Sequence, residues 1–177
     1  MTIMRMGNKN GFSLTEMMIA LGITGLVMAA GTVTYLTSLR VWHQTSAISK
    51  AYLGASTVIE RILGGVGVGY GLRSALPGIS IEVPEGGWTI AYTAPSRTSG
   101  FGTEKHYVRY DRGRGVIEYT DDSMGGLWSG VGQDVVDSAV AQDGEFVFLS
   151  VTTRELGGRD SATSTMGTTV RIRNLNY

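Results

Sequence analysis

The sequence predicts an α+β fold: one long N-terminal helix, its first half membrane-spanning and its second half packed on an antiparallel sheet. Three observations predict it. Residues 17–39 contain no charged side chain, apolar residues keep a helical spacing to about residue 63, and beyond that they alternate in short runs. At about 1.5 Å per helical residue the uncharged run spans roughly 35 Å, which exceeds a hydrocarbon core of about 30 Å.

Composition narrows the function. Lysine plus arginine and aspartate plus glutamate both number 15 in 177 residues. A zero formal charge lacks the basic excess that a general phosphate-backbone binder needs, so nucleic acid is not the expected partner. Cysteine is absent, which excludes a thiol nucleophile, a zinc–thiolate site and a disulfide framework. His43 and His106 are the only histidines, too few for a histidine-rich metal site.

The helix continues past the apolar run. Residues 40–63 hold no proline and a single glycine, Gly54. Val41, Ile48, Tyr52, Ala55, Ile59 and Ile62 recur at helical steps, with Gln44, Ser49, Lys50 and Glu60 opposite. This reads as the face that covers a sheet. Gly64-Gly65 ends the helix, and Gly67, Gly69 and Gly71 mark a loop. No GxGxxG frame closes there, because the third glycine position falls on Tyr70 or Leu72, and no lysine follows a glycine. The run is a connection rather than a phosphate cradle.

Strand signals follow. Ile79, Ile81 and Val83 alternate, residues 84–87 turn, and Trp88, Ile90 and Tyr92 alternate. A second hairpin has arms at 106–111 and 116–120 around a turn at 112–115. Residues 145–153 and 168–175 supply two further strands, and 121–144, rich in glycine and aspartate, reads mostly as loop. No catalytic constellation emerges. Ser129 lacks the GxSxG frame, since Leu127 stands where glycine is required. His43 and His106 read as ordinary surface or interface histidines. Asp111, Asp121 and Asp122 match no calcium-loop spacing and read as solvated turn acids. Trp88 and Trp128 fit either core positions or partner anchors. The expectation is a chain that is not an enzyme and uses no cofactor or metal.

The chemistry lies at the N-terminus. Residues 1–11 form a basic leader carrying Arg5 and Lys9, followed by Phe12-Ser13-Leu14-Thr15-Glu16 and the apolar run. A cleaved secretory signal has a shorter apolar region, about 7–15 residues. Glu16 adjoins this run directly, and a charge carried to mid-bilayer costs about 2.5–3.5 kcal/mol, so its placement invites a functional explanation. These residues resemble the processing motif of the type IV pilin superfamily, which includes type II secretion pseudopilins: a leader ending in glycine, then phenylalanine, a small hydroxyl residue, leucine, any residue and glutamate.

The resemblance implies a pilin-like fold and assigns roles. Prepilin peptidase would cut between Gly11 and Phe12 and methylate the new Phe12 amine. Glu16 would pair with the terminal amine of a neighbouring subunit in a filament. The implied partners are the peptidase, other pilin or pseudopilin subunits, an inner-membrane assembly platform and membrane lipid. The leader stays cytoplasmic, in keeping with the positive-inside rule, residues 12–39 cross the inner membrane, and 40–177 form the exported headpiece. The ending Thr169-Val170-Arg171-Ile172-Arg173-Asn174 is similar to J-type minor pseudopilins and W-type minor pilins. Val33 stands where many major pilins carry a kinking proline, and no cysteine pair closes a C-terminal loop, which favours a minor subunit. A second reading is a DNA- or ligand-binding tip subunit of a competence-type pilus. There Arg109, Arg112 and Arg114 would track phosphates, with Tyr107, Tyr110 and Tyr119 near for stacking.

Overall fold

The computed structural model describes residues 11–66, 70–96, 102–122, 126–157 and 160–172. The leader cations Arg5 and Lys9, the loop glycines Gly67 and Gly69, and the terminal Arg173 and Asn174 lie outside the described residues. The chain divides into two compact units, Met1–Trp42 and His43–Tyr177, and helix α1, Leu14–Gly64, contributes to both.

In the first unit the helix is long and apolar enough to cross a membrane. Its large apolar side chains, Met17, Ile19, Leu21, Leu26, Val33 and Leu36 among them, are all exposed. Its threonines are satisfied by the helix itself. Thr24 donates to the Ala20 carbonyl at 2.7 Å, Thr32 to Met28 at 2.9 Å, Thr34 to Ala30 at 2.9 Å and Thr37 to Val33 at 2.8 Å. An unbonded hydroxyl in lipid has no water to turn to, so these back-bonds make the polar residues compatible with the span.

The second unit is helix on sheet. Strands β1 Ser80–Glu82, β2 Gly87–Pro95, β3 Thr103–Asp111, β4 Val116–Asp121 and β5 Ser129–Gly132 form a five-stranded antiparallel sheet in sequence order. Strands β6 Val135–Asp143, β7 Phe146–Gly157 and β8 Asp160–Arg171 form a second, three-stranded antiparallel sheet. Both hairpins read from the sequence form as expected, but there are two sheets rather than one.

The helix face is corrected. Ala55, Ile59 and Ile62 are buried, whereas Val41, Ile48 and Tyr52 are exposed; the rest of the covered stripe is Ala47, Ala51, Val58 and Leu63. Small residues let the helix backbone come close to the sheets. The Thr153 hydroxyl on β7 donates to the Ala51 carbonyl at 2.5 Å, and Arg61 Nη1 donates to the Val131 carbonyl on β5 at 3.1 Å.

Residues 121–144 are also corrected, since they hold β5 and β6 instead of a loop. β5 is short and contains Gly130 and Gly132, which carry no strand signal. β6 has a bulge between Val135 and Asp137, so its buried residues are Val135 and Ser138 and the period of two is lost. Likewise β8 begins at Asp160 rather than 168, because Ser161–Ser164 offer hydroxyls and one alanine instead of alternating apolar residues.

The core joins Trp88, Ile90 and Tyr92 of β2 with Val108 and Tyr110 of β3, Ile117 and Tyr119 of β4, Leu149 and Val151 of β7, and the helix face. Trp88 is a core residue. Its indole N–H donates to Ser138 Oγ at 3.2 Å, and Ser138 donates to the Ser150 carbonyl at 2.7 Å, which ties the two sheets together. At Gly87, φ is +150° and a Cβ would lie 1.9 Å from the Tyr110 carbonyl oxygen, so the β2 start admits only glycine.

Gly132 is fixed by proximity: a Cβ there would lie 2.3 Å from Val58 Cγ2. Valine in a helix is held near one rotamer and cannot turn aside. Gly132→Ala is therefore expected to lower stability by about 1–3 kcal/mol. Thermal unfolding of the detergent-purified chain checks this, and an unchanged midpoint would refute the close fit.

Candidate functional site

Ser13 and Glu16 close a reciprocal capping box at the start of α1. The Glu16 backbone N–H donates to Ser13 Oγ at 3.2 Å, and the Ser13 backbone N–H donates to Glu16 Oε2 at 3.0 Å. The Ser13 hydroxyl also bonds Thr15 Oγ1 at 2.8 Å, and the Met17 N–H reaches the Ser13 carbonyl at 3.1 Å. Serine at the cap and glutamate three residues later satisfy two donors that a helix start leaves orphaned. The carboxylate also sits at the positive end of the helix dipole. Sequence reasoning assigned Glu16 to assembly and overlooked this local role, although the S-x-x-E spacing is its signature.

Gly11 and Phe12 precede the cap without regular structure. Phe12 is 84% exposed, and a Cβ on Gly11 would meet nothing within 4 Å. The peptide between them therefore stands open on the N-terminal side of a fixed helix start.

Residues 6–32 match the family model of the prokaryotic N-terminal methylation motif. The match covers Gly11, Phe12 and Glu16 and supports the type IV pilin and pseudopilin superfamily as the chain's class. No curated protein and no solved structure matches the chain.

The arginines of the second hairpin come together at its turn, each in company with acids. Arg109 Nη2 lies 2.7 Å from Glu118 Oε2, and its guanidinium stacks over the Trp128 ring at 3.8 Å. Arg114 reaches Asp111 at 2.7 Å and Glu118 at 2.8 Å, and Arg112 reaches Asp137 at 3.1 Å. Burial opposes the Glu118 charge, but bonds from Arg109 and Arg114 outweigh it and hold that carboxyl below its ordinary pKa. The bonds from Arg114 do the same for Asp111. Phosphates would have to compete with these carboxylates. Of the companion tyrosines, Tyr107 is half-buried, while Tyr110 and Tyr119 are turned into the core.

His106 is corrected: it is 1% exposed on the inner face of β3. Its ring stacks between Tyr92, at 5.2 Å, and Tyr119, at 5.9 Å. Tyr119 donates its O–H to Asp121 Oδ2 at 3.0 Å, so its oxygen accepts from His106 Nδ1 at 2.7 Å. That order assigns the proton to Nδ1 and leaves Nε2 as a bare lone pair. Burial lowers the imidazole pKa, against the opposing pull of Asp121, Glu104 and Asp122. Burial also raises the Tyr92 and Tyr119 hydroxyls.

A pH dependence follows. The histidine pKa is lower in the folded chain than in the unfolded one, near 6.5, so the unfolded chain binds the extra proton. The stability it contributes is complete above about pH 6.5 and is lost as pH falls through the folded value. Thermal midpoints of the wild type should fall from pH 7 to pH 5 more steeply than those of His106→Gln. Parallel slopes would show that His106 does not titrate against the fold.

Proposed function

We propose that the chain is a structural, non-enzymatic subunit of a type IV pilus or type II secretion pseudopilus. Prepilin peptidase cuts it between Gly11 and Phe12 and methylates the Phe12 amine. The apolar half of α1 anchors it in the inner membrane with residues 40–177 exported, and an assembly platform draws it into a filament with other subunits. The observation that carries this reading is the motif match over residues 6–32, with its glycine, phenylalanine and capped glutamate at one helix start. The similarity of the ending, the absence of cysteine and the valine at position 33 favour a minor subunit of J or W type.

In the filament Glu16 serves a neighbour's Phe12 amine, beyond capping its own helix. Glu16→Gln separates the two roles, because glutamine can still close the capping box but carries no charge. Glu16→Val removes both, and Glu16→Asp keeps the charge on a shorter arm. Cleavage and membrane insertion should be normal in all three. At equal membrane levels, Gln and Val variants should be depleted from sheared filaments and Asp intermediate. An unpaired buried ammonium typically costs about 3–5 kcal/mol, a depletion of roughly 100-fold or more. Normal incorporation of Glu16→Gln would reduce the carboxylate to a cap and overturn its pairing role.

A further inference from the structure

Helix α1 leaves the uncharged run at Arg40, and the residues there are of a different kind. Arg40 is exposed and holds no ion pair among the described residues. Trp42 is 64% exposed. The other two tryptophans are held by the headpiece: Trp88 is 2% exposed, and the Arg109 guanidinium covers Trp128 at 3.8 Å. Two positions apart on a helix, Arg40 and Trp42 project to opposite sides, about 200° apart. An exposed indole suits neither water nor hydrocarbon, because its ring is apolar and its N–H needs an acceptor. Tryptophan collects for that reason at the membrane–water interface, where arginine meets lipid phosphate.

Glu16 marks the other end of the run. Its carboxylate reaches back to the Ser13 N–H at 3.0 Å, so the charge sits toward Ser13 and away from the apolar residues. Helical side chains tilt toward the N-terminus, which for Trp42 is toward the run. Twenty-six residues separate Glu16 from Trp42, about 39 Å of helix, or about 37 Å along the membrane normal at a usual tilt of about 20°. A hydrocarbon core is about 30 Å thick and a whole bilayer about 40–45 Å. A core centred between the two residues runs from Ile19 to Leu39 and leaves Glu16 and Trp42 each about 4–5 Å beyond it.

We propose that Arg40 and Trp42 form a collar that binds phospholipid headgroups on the exported side of the membrane and fixes the depth of the span. The Glu16 carboxylate then lies among the headgroups of the opposite leaflet. Arg40 takes a lipid phosphate, and the Trp42 indole N–H donates to an ester carbonyl. This collar deepens the membrane reading of α1 and rests on it, but it does not depend on the filament. It also sets where Glu16 is kept before assembly. The carboxylate waits at the membrane surface, bonded within its own capping box, instead of lying in the hydrocarbon.

The full chain in phosphatidylcholine vesicles tests the collar, with lipids brominated either near the carbonyl end or at the middle of the acyl chain. Carbonyl-end bromines should quench wild-type tryptophan emission several-fold more than mid-chain bromines, and Trp42→Phe should remove that quenching. No quenching, stronger mid-chain quenching, or quenching that survives Trp42→Phe would overturn the proposal. Depth is read separately, because the chain lacks cysteine and single cysteines can be labelled without background. In inverted membrane vesicles, a membrane-impermeant maleimide should label Thr15→Cys several-fold faster than Ile23→Cys. Replacing Arg40 and Trp42 with leucine lengthens the apolar run at its outer end, so the span should slide and expose Ile19→Cys to faster labelling. Equal labelling at positions 15 and 23, or an Ile19→Cys rate indifferent to the leucines, would overturn the depth-setting role. Alkaline carbonate distinguishes the two levels of failure. Release of the chain would refute the membrane span itself, whereas a retained chain that fails these tests refutes the collar alone.

Discussion

Gly11→Val should leave the leader attached and abolish the mature product while the folded headpiece stays unchanged. The separation is possible because Gly11 is structurally idle: a Cβ there meets nothing within 4 Å. Any effect must arise where the peptide enters the peptidase, where a small residue lets the backbone lie extended and unhindered. Mass spectrometry of membrane-extracted protein should find wild-type chains starting at N-methylated Phe12, and Gly11→Val chains retaining residue 11. Intact chains from the wild type in cells with active peptidase would sink the assignment of the cleavage site.

Trp88→Ala should be the most damaging change in the headpiece. The side chain is 2% exposed, lies 6.1 Å from the Tyr110 ring and anchors Ser138 of the other sheet. Removing a buried tryptophan typically costs about 3–5 kcal/mol through lost burial and the cavity left behind. Against a usual net stability of about 5–15 kcal/mol, that is a fifth or more of the total. Trp88→Phe should cost far less, because Ser138 keeps its bond to the Ser150 carbonyl. Denaturant midpoints of the two variants check this, and a Trp88→Ala midpoint within experimental error of wild type would contradict the linking role.

What could be read from the sequence was what depends on local chemistry. A family motif and an uncharged run long enough to cross a membrane are both short linear signals, so the motif and the apolar half of α1 were legible in the sequence. Ile90, Tyr92, Val108, Tyr110, Ile117 and Tyr119 alternate because their sheet has one covered face, and both hairpins were legible for that reason. β5 and β6 were not, since Gly132, set close against Val58, and a bulge at Val135 erase the alternation. The helix face was misjudged because a tight approach favours Ala47 and Ala51 over the larger Ile48 and Tyr52. His106 looked exposed because its partners, Tyr92, Tyr119 and Asp121, are brought to it only by the register of β2 and β4.

The unbroken helix around Val33 has a mechanical consequence. A proline would remove one backbone hydrogen bond and place a fixed bend there. Here α1 continues through Val33, and the Thr37 hydroxyl adds a bond to the Val33 carbonyl. Under axial pull the turns act as springs in series, and the softest are those with glycine, which costs up to about 1 kcal/mol per residue in helical propensity. Gly22, Gly25 and Gly31 all lie in this segment. Extension from about 1.5 to about 3.3 Å per residue over roughly ten residues would lengthen the chain by about 18 Å. Compliance is thus spread over several turns instead of being concentrated at one hinge.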